Sequence, residues 1–352
     1  MGDYEECGEF QAVCINAGDD EGADITFEYN GKRITVSLFA SSSCQASGNS
    51  QHENYIEDRL IRLLNQAVTA DDEDYDELVD EASDVILGLG KILFSQVAPP
   101  LPVSILSDQD LHSHLYPKTL NFRLETVDNK AVIFPISPDD TISLPDTAPD
   151  PDLETDFQAD SIIPQYSSRE VIIQRVFASG NNTVSKVQVG SQTMLCKAHR
   201  AGLQDPNLKQ ELVSVQKIRE AGINSRAQIR VPSLQGYVRH ADSGAIIGLL
   251  RDFILSGVYG GTLRDVDVSA VPKEMRRKWA NQIRETVDEL HEAGVVWGDG
   301  KASNVVMDQS DNAWLIDFAG GWSKGWVDEE LAGSKEGDKQ AVRKISEFLS
   351  VA

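Results

Sequence analysis

At 352 residues, with 41% hydrophobic and 25% charged residues, the chain has the composition of a soluble globular protein long enough to bury two cores. Its net charge of −24 disfavours nucleic acid and anionic membrane surfaces as partners, because phosphate binding draws on basic side chains. No charged-then-apolar segment opens it, and the longest apolar run, around "AIIGLL" at 245–250, is far too short to span a bilayer, so neither secretion nor membrane insertion is expected.

Cys7, Cys14, Cys44 and Cys196 show no CxxC or Cys/His metal spacing, which fits a reduced intracellular setting, cytoplasmic or nuclear. The charge is unevenly placed. Through residue 165 there are 33 Asp/Glu against 8 Lys/Arg, and beyond it 23 against 24. The plain reading of the acidic part is a solvated surface, and the alternative is a docking surface for a protein partner.

In chain order, residues 1–23 are acidic and without periodicity, and read as a disordered tail. Residues 24–135 read as an α+β region of unknown function. "ITFEYNGKRITVSLFA" (25–40) alternates about Asn30-Gly31 and predicts a hairpin. Apolar residues at helical spacing predict helices over 54–68 and 75–97, the second stopped by Pro99, Pro100 and Pro102. "LNFRLETVDNKAVIF" (120–134) predicts another hairpin, turning at Asp128-Asn129. His112 and His114 lack a third ligand at useful spacing and read as surface or structural histidines. Residues 136–165, rich in Pro and Asp, read as a linker.

After the linker, 171–199 predicts three strands with turns near Gly180 and Gly190, followed by a helix over 206–222 and two more strands, "SLQGYVR" and "AIIGLLRDFI". A long helix over 272–294 carries Met275, Trp279, Ile283, Val287 and Leu290 on one stripe and stops at Gly294. The loop "VVWGDGKASNVVMD" follows, and then the strand "NAWLIDF" at 312–318. Trp314, Trp322 and Trp326 read as packing residues. Strands first and helices later indicate two lobes with a site between them.

Phosphoryl transfer needs a carboxylate to take the proton of the attacking hydroxyl, oxygen ligands for magnesium and a cation on the phosphates. Asp299, Lys301 and Asn304 offer the first, a cation and a metal ligand on one loop, and Asp317 follows Asp299 by 18 residues at a strand end. A capped polar turn is the alternative for Asp299 and Asn304.

"WGDGKASNV" resembles the protein-kinase catalytic loop H-R-D-x-K-x-x-N, and "DFAGG" the D-F-G element that follows it. "TMLCKA" is similar to V-A-I-K and assigns Lys197 to the α/β-phosphates. Glu211 in "KQELVSVQKI" becomes its helix partner, with Glu220 the weaker choice, and "LLRDFI" resembles the hinge strand. The likeness runs over about 171–340. More narrowly, the stretch from "LHEAGVVWGDGKASN" onward resembles the divergent, C-terminally shortened kinase-like proteins of filamentous fungi.

The resemblance implies an α+β, two-lobed protein-kinase-like fold over 166–352, with a small lobe to about 254 and a truncated large lobe. It implies an ATP- and Mg2+-dependent phosphotransferase acting on a protein or small-molecule hydroxyl. Asp299 and Lys301 become the catalytic residues, Lys197 and Glu211 hold the nucleotide, and Asn304 and Asp317 bind the metal.

The departures define the alternatives. Trp297 and Gly298 replace His-Arg, the Gly-rich loop "FASGNNTVSKV" keeps one Gly, Ala319 replaces the Gly of D-F-G, and 14 residues follow Asp338, which resembles the buried Asp opening the large lobe's central helix. These favour a pseudokinase, a nucleotide-binding or interaction module without turnover, as the second reading. A small-molecule kinase of the aminoglycoside and choline phosphotransferase type is the third.

Overall fold

The computed structural model describes residues 10–19, 21–41, 55–70, 72–99, 109–142, 149, 154, 157–179, 182–222 and 229–351. The chain divides into two compact units, one holding residues 1–106 and 116–147, the other residues 107–115 and 148–352. Both are mixed α+β.

In the first unit, β1 (Gln11–Asp19), β2 (Gly22–Tyr29), β3 (Lys32–Phe39), β4 (Thr119–Val127) and β5 (Lys130–Pro135) form one sheet in sequence order. Both predicted hairpins form. Asn30 and Gly31 have φ of 49° and 72°, and Asp128 and Asn129 49° and 58°, the left-handed pairs that let a two-residue turn follow the strands' twist. The parallel step from β3 to β4 leaves room for helices α1 (Ile56–Ala67) and α2 (Asp72–Val97) between them in sequence. Their apolar stripes, with Leu60, Leu64, Ile86 and Phe94 fully buried, close over Ile25, Phe27, Ile34 and Val36. Glu57 and Asp58 in the first turn of α1 are buried acids with structural partners: Glu57 accepts from the Thr126 hydroxyl at 2.7 Å and Asp58 from that of Ser41 at 2.7 Å.

The tail expected over 1–23 is corrected: from residue 11 the backbone pairs with β2, with Ala12 facing Phe27 and Ile15 facing Ile25, because backbone pairing needs no strong period-2 signal on an edge strand. The part of that expectation over 1–9 lies outside the described residues, as do Cys7, Cys44, Pro100 and Pro102.

In the second unit, α3 (Leu111–Leu115) precedes a six-stranded sheet of spatial order β6-β10-β11-β9-β8-β7. Its strands are β6 (Gln165–Ser167), β7 (Val171–Ala178), β8 (Thr183–Val189), β9 (Gln192–Ala198), β10 (Leu234–Arg239) and β11 (Ile246–Asp252). Helix α4 (Pro206–Glu220) falls between β9 and β10, with Asp205 capping it by accepting from the Asn207 amide at 2.8 Å. Helix α5 (Lys273–Glu292), the short hairpin β12 (Val305–Met307) and β13 (Ala313–Leu315), and α6 (Lys335–Phe348) complete the unit. Strands come first and helices later along this unit, as the sequence leads one to expect.

The stripe of α5 is core, with Trp279, Ile283, Val287 and Leu290 buried; Gly294 at φ 75° ends the helix. Trp326 packs against the same core, whereas Trp322 is half-exposed and donates from Nε1 to the Val327 carbonyl, so the packing expectation fails there. The linker expected over 136–165 is also too long. Phe157 and Ile163 are buried in the second core, and Glu154 pairs with Arg239 at 3.2 Å. Near the end of that stretch Phe157, Ile162 and Ile163 interrupt the acidic composition, and Phe157 and Ile163 find the core. Among the described residues no helix is long and apolar enough to cross a membrane.

Candidate functional site

Lys197 stands near the end of β9. Register pairs it with Val184 on one side and Leu249 on the other, which turns its side chain to the same sheet face as both. On that face α4 presents Glu211, fully buried, and the Lys197 Nζ lies 2.7 Å from Glu211 Oε2. The same ammonium donates to Asp317 Oδ1 at 3.0 Å, across 120 residues of sequence. Glu220, by contrast, is exposed at the helix end and bonds Gln216.

Asp317 lies two residues past the end of β13 and has φ 63°, a left-handed conformation uncommon outside glycine but tolerated by Asp. Such a residue costs on the order of 1 kcal/mol to hold, and here it is held by its bond to Lys197 and by the buried Phe318 beside it.

The electrostatics of the pair follow from burial and charge together. Burial by itself would lower the Lys197 pKa, but the carboxylates of Glu211 and Asp317 outweigh it and raise the value above the ordinary lysine range. Burial pushes Asp317 upward, and Lys197, followed by Arg251 and Lys301, overcomes it and holds the carboxyl below its ordinary range. Both groups are therefore charged at neutral pH. Cys196, next to Lys197 on the opposite face of β9, is fully buried, and burial pushes its thiol up to about 12, an inert packing residue.

The loop "VVWGDGKASN" is built around Asp338 of α6. This buried carboxylate accepts from the Trp297 amide at 2.8 Å, the Gly298 amide at 2.9 Å and His291 Nε2 at 2.8 Å. Gly298 has φ 84°, and a Cβ there would stand 3.1 Å from the Gly320 Cα; at Gly300 it would stand 2.5 Å from the Ala341 Cβ. The glycines let this loop lie against the "DFAGG" backbone and α6. Glycine at position 298 is thus a packing requirement of this loop.

Asp299, held in that loop, is buried and surrounded. Lys301 Nζ reaches its Oδ2 at 2.6 Å, Asn304 Nδ2 donates to the same oxygen at 2.9 Å and to the Asp299 carbonyl at 2.8 Å, and the Ser323 hydroxyl donates to Oδ1 at 3.2 Å. Lys301 also donates to Ser323 Oγ at 3.0 Å. The Ile316 amide donates to the Asn304 carbonyl at 3.0 Å, which ties this loop to the residue before Asp317.

All six residues singled out in the sequence thus fall into two clusters, Lys197 with Glu211 and Asp317, and Asp299 with Lys301 and Asn304. The 316–323 backbone links them. The donor set fits a hard divalent cation: Asp317 supplies an ionised carboxylate, and Asn304, with its amide nitrogen committed to Asp299, offers its carbonyl oxygen.

Sequence reading missed two members. Arg251 lies within "LLRDFI", where a single charged residue among the buried apolar positions of β11 was the available signal; its Nη1 stands 2.6 Å from Glu211 Oε1. The contacts of Glu211 with both cations are ion pairs at close range rather than aligned hydrogen bonds. Ser323 follows Asp317 by six positions and carries no spacing signal. The Gly-rich loop is described only in part: Gly180 and Asn181 lie outside the described residues, and Asn182 donates to the α4 cap Asp205 at 2.7 Å.

The histidine reading also changes. His112 is brought to His240 and Asp242, with ligand atoms all within 4.8 Å of one another, a grouping that spacing in sequence cannot show. Arg169 lies 3.3 Å from His112 Nε2 and donates to Asp242 at 3.2 Å, so a guanidinium already supplies the positive charge between them.

No protein-family model matches the chain, and no curated protein matches it. Among solved structures the chain is similar to that of vaccinia related kinase 3, with TM-score 0.38 and 15% sequence identity over 50% of this chain and 63% of that one. The chain therefore spans less than two thirds of that protein's length.

Proposed function

We propose that the second unit binds ATP with Mg2+ and transfers the γ-phosphoryl group to a hydroxyl of a protein or small-molecule acceptor. The observation that carries this reading is the Lys197 ammonium set between Glu211 at 2.7 Å and Asp317 at 3.0 Å, with Asp299, Lys301 and Asn304 on the adjoining loop. In the reaction, the acceptor hydroxyl gives its proton to the Asp299 carboxylate as its oxygen bonds to the γ-phosphorus. The bond from that phosphorus to the β–γ bridging oxygen breaks, and ADP leaves. Lys301 offsets negative charge that develops on the transferred group, and Lys197, oriented by Glu211, binds the α/β-phosphates. Asn304 and Asp317 would hold the magnesium, which would supply charge neutralisation on the phosphates.

The position corresponding to the second Asp of a D-x-D metal motif is Ala319, which favours the protein-kinase side over small-molecule kinases. A reading without turnover draws on one observation: Asp299 already accepts from Lys301, Asn304 and Ser323, so an acceptor hydroxyl has to displace one of them.

A thermal-shift titration with ATP and Mg2+ tests binding, since a ligand of the native state raises stability with the logarithm of its concentration over Kd. Asp317→Ala is expected to abolish the Mg2+-dependent shift, and unchanged affinity overturns the proposal. Phosphoryl turnover lost in Asp299→Asn separates the enzyme from the silent module.

A further inference from the structure

Glu211 has no exposed surface, and each of its carboxylate oxygens faces a different cation: Oε2 faces Lys197 at 2.7 Å and Oε1 faces Arg251 at 2.6 Å. The register of β11 explains how both reach it. Leu249 pairs with Lys197 and Arg251 with Leu195, so Arg251 lies one step along the same sheet face, under the same helix. Arg251 is itself buried, and its charge also acts on Asp317. Four buried or half-buried groups thus form a neutral set, two cations and two carboxylates.

The two cations are not equivalent once phosphates enter. Lys197 has to share its ammonium with a polyanion, and Asp317 has to turn from Lys197 to a metal. A buried carboxylate left with a shared counter-charge is costly, and helix α4 carries that carboxylate. Arg251 points at Glu211 from the sheet and keeps a whole charge on it whatever Lys197 does.

We infer that Arg251 is a positioning residue: it fixes Glu211 and helix α4 against the sheet independently of Lys197, so that the Lys197–Glu211 pair is assembled in the resting protein without an activating event. The inference rests on the nucleotide-site reading only where it assigns phosphates to Lys197; the anchoring of α4 stands apart from it.

The test uses the full chain and two readouts, amide hydrogen exchange without nucleotide and affinity for ATP with Mg2+. In Lys197→Met, exchange over 206–220 stays within about twofold of the parent, whereas in Arg251→Met it rises by about tenfold or more, with 273–292 unchanged. Arg251→Lys restores most of the protection, which a purely steric role of the side chain would not require. ATP affinity falls about tenfold in Arg251→Met, and adding Arg251→Met to Lys197→Met costs little more. Equal opening of α4 in Lys197→Met and Arg251→Met, or no opening in Arg251→Met, overturns the inference. Should Arg251→Met lose protection throughout, Glu211→Gln takes its place: opening of α4 there and not in Lys197→Met supports the anchor, and equal opening overturns it. Variants that show this exchange pattern, with a parent protein that binds no ATP, refute the nucleotide reading and leave the anchor standing.

Discussion

Replacing Asp338 by Asn is a near-isosteric change whose cost follows from three donors. In the parent, Oδ2 receives the Trp297 amide and His291 Nε2, and Oδ1 receives the Gly298 amide, all at 2.8 to 2.9 Å. Asn keeps one oxygen. Its better choice is to leave that oxygen where two donors converge, which turns its own NH2 toward the Gly298 N–H. A buried donor is then unsatisfied, at about 1–3 kcal/mol, and the two remaining bonds lose their charge assistance. The total is about 3 kcal/mol. For a unit of roughly 200 residues this lowers Tm by about 6–12 °C, at about 2–4 °C per kcal/mol. The assay is intrinsic fluorescence during heating, because the five tryptophans, Trp279, Trp297, Trp314, Trp322 and Trp326, all lie in the second unit and report on it alone. A fall of less than about 2 °C would refute the claim that Asp338 organises the loop carrying Asp299.

Gly298→Ala forces a Cβ onto φ 84° and to 3.1 Å from the Gly320 Cα, so a loss of about 1–2 kcal/mol in chemical denaturation followed by tryptophan emission is expected. No loss would mean the loop can shift away from "DFAGG" freely. The Lys197–Asp317 pair fixes a pH window. The Asp317 pKa is depressed, so its contribution is present above the ordinary carboxylate value of 3.8 and fades as pH falls through the lower folded value. The Lys197 pKa is raised, so its contribution is present below 10.5 and is lost as pH rises through the higher folded value. Denaturation midpoints measured against pH in the parent and in Lys197→Met are expected to converge toward both extremes, and parallel curves across the whole range would contradict the pairing.

What was legible in the sequence was what is local and periodic. The Asn30-Gly31 and Asp128-Asn129 turns, the stripe of α5 and the spacing from Asp299 to Asn304 each specify a backbone conformation or a face without reference to distant residues. The edge strand β1 carries little such signal, because half of its environment comes from pairing with β2. The failures at the site have a common physical origin. Arg251, Ser323 and the His112–His240–Asp242 group acquire meaning only from partners 40, 24 and 128 to 130 positions away, brought close by sheet register and loop packing. A lone Arg in a buried strand, however, is a cost that must be met by an opposite charge. The strand "AIIGLLRDF" therefore predicts that some carboxylate lies buried on the same sheet face, and Glu211, the one acidic residue on the inward side of α4, is where that requirement is met. The same carboxylate has the Arg251 guanidinium on one oxygen and the Lys197 ammonium on the other, with no surface exposed, so this charged set is part of the core.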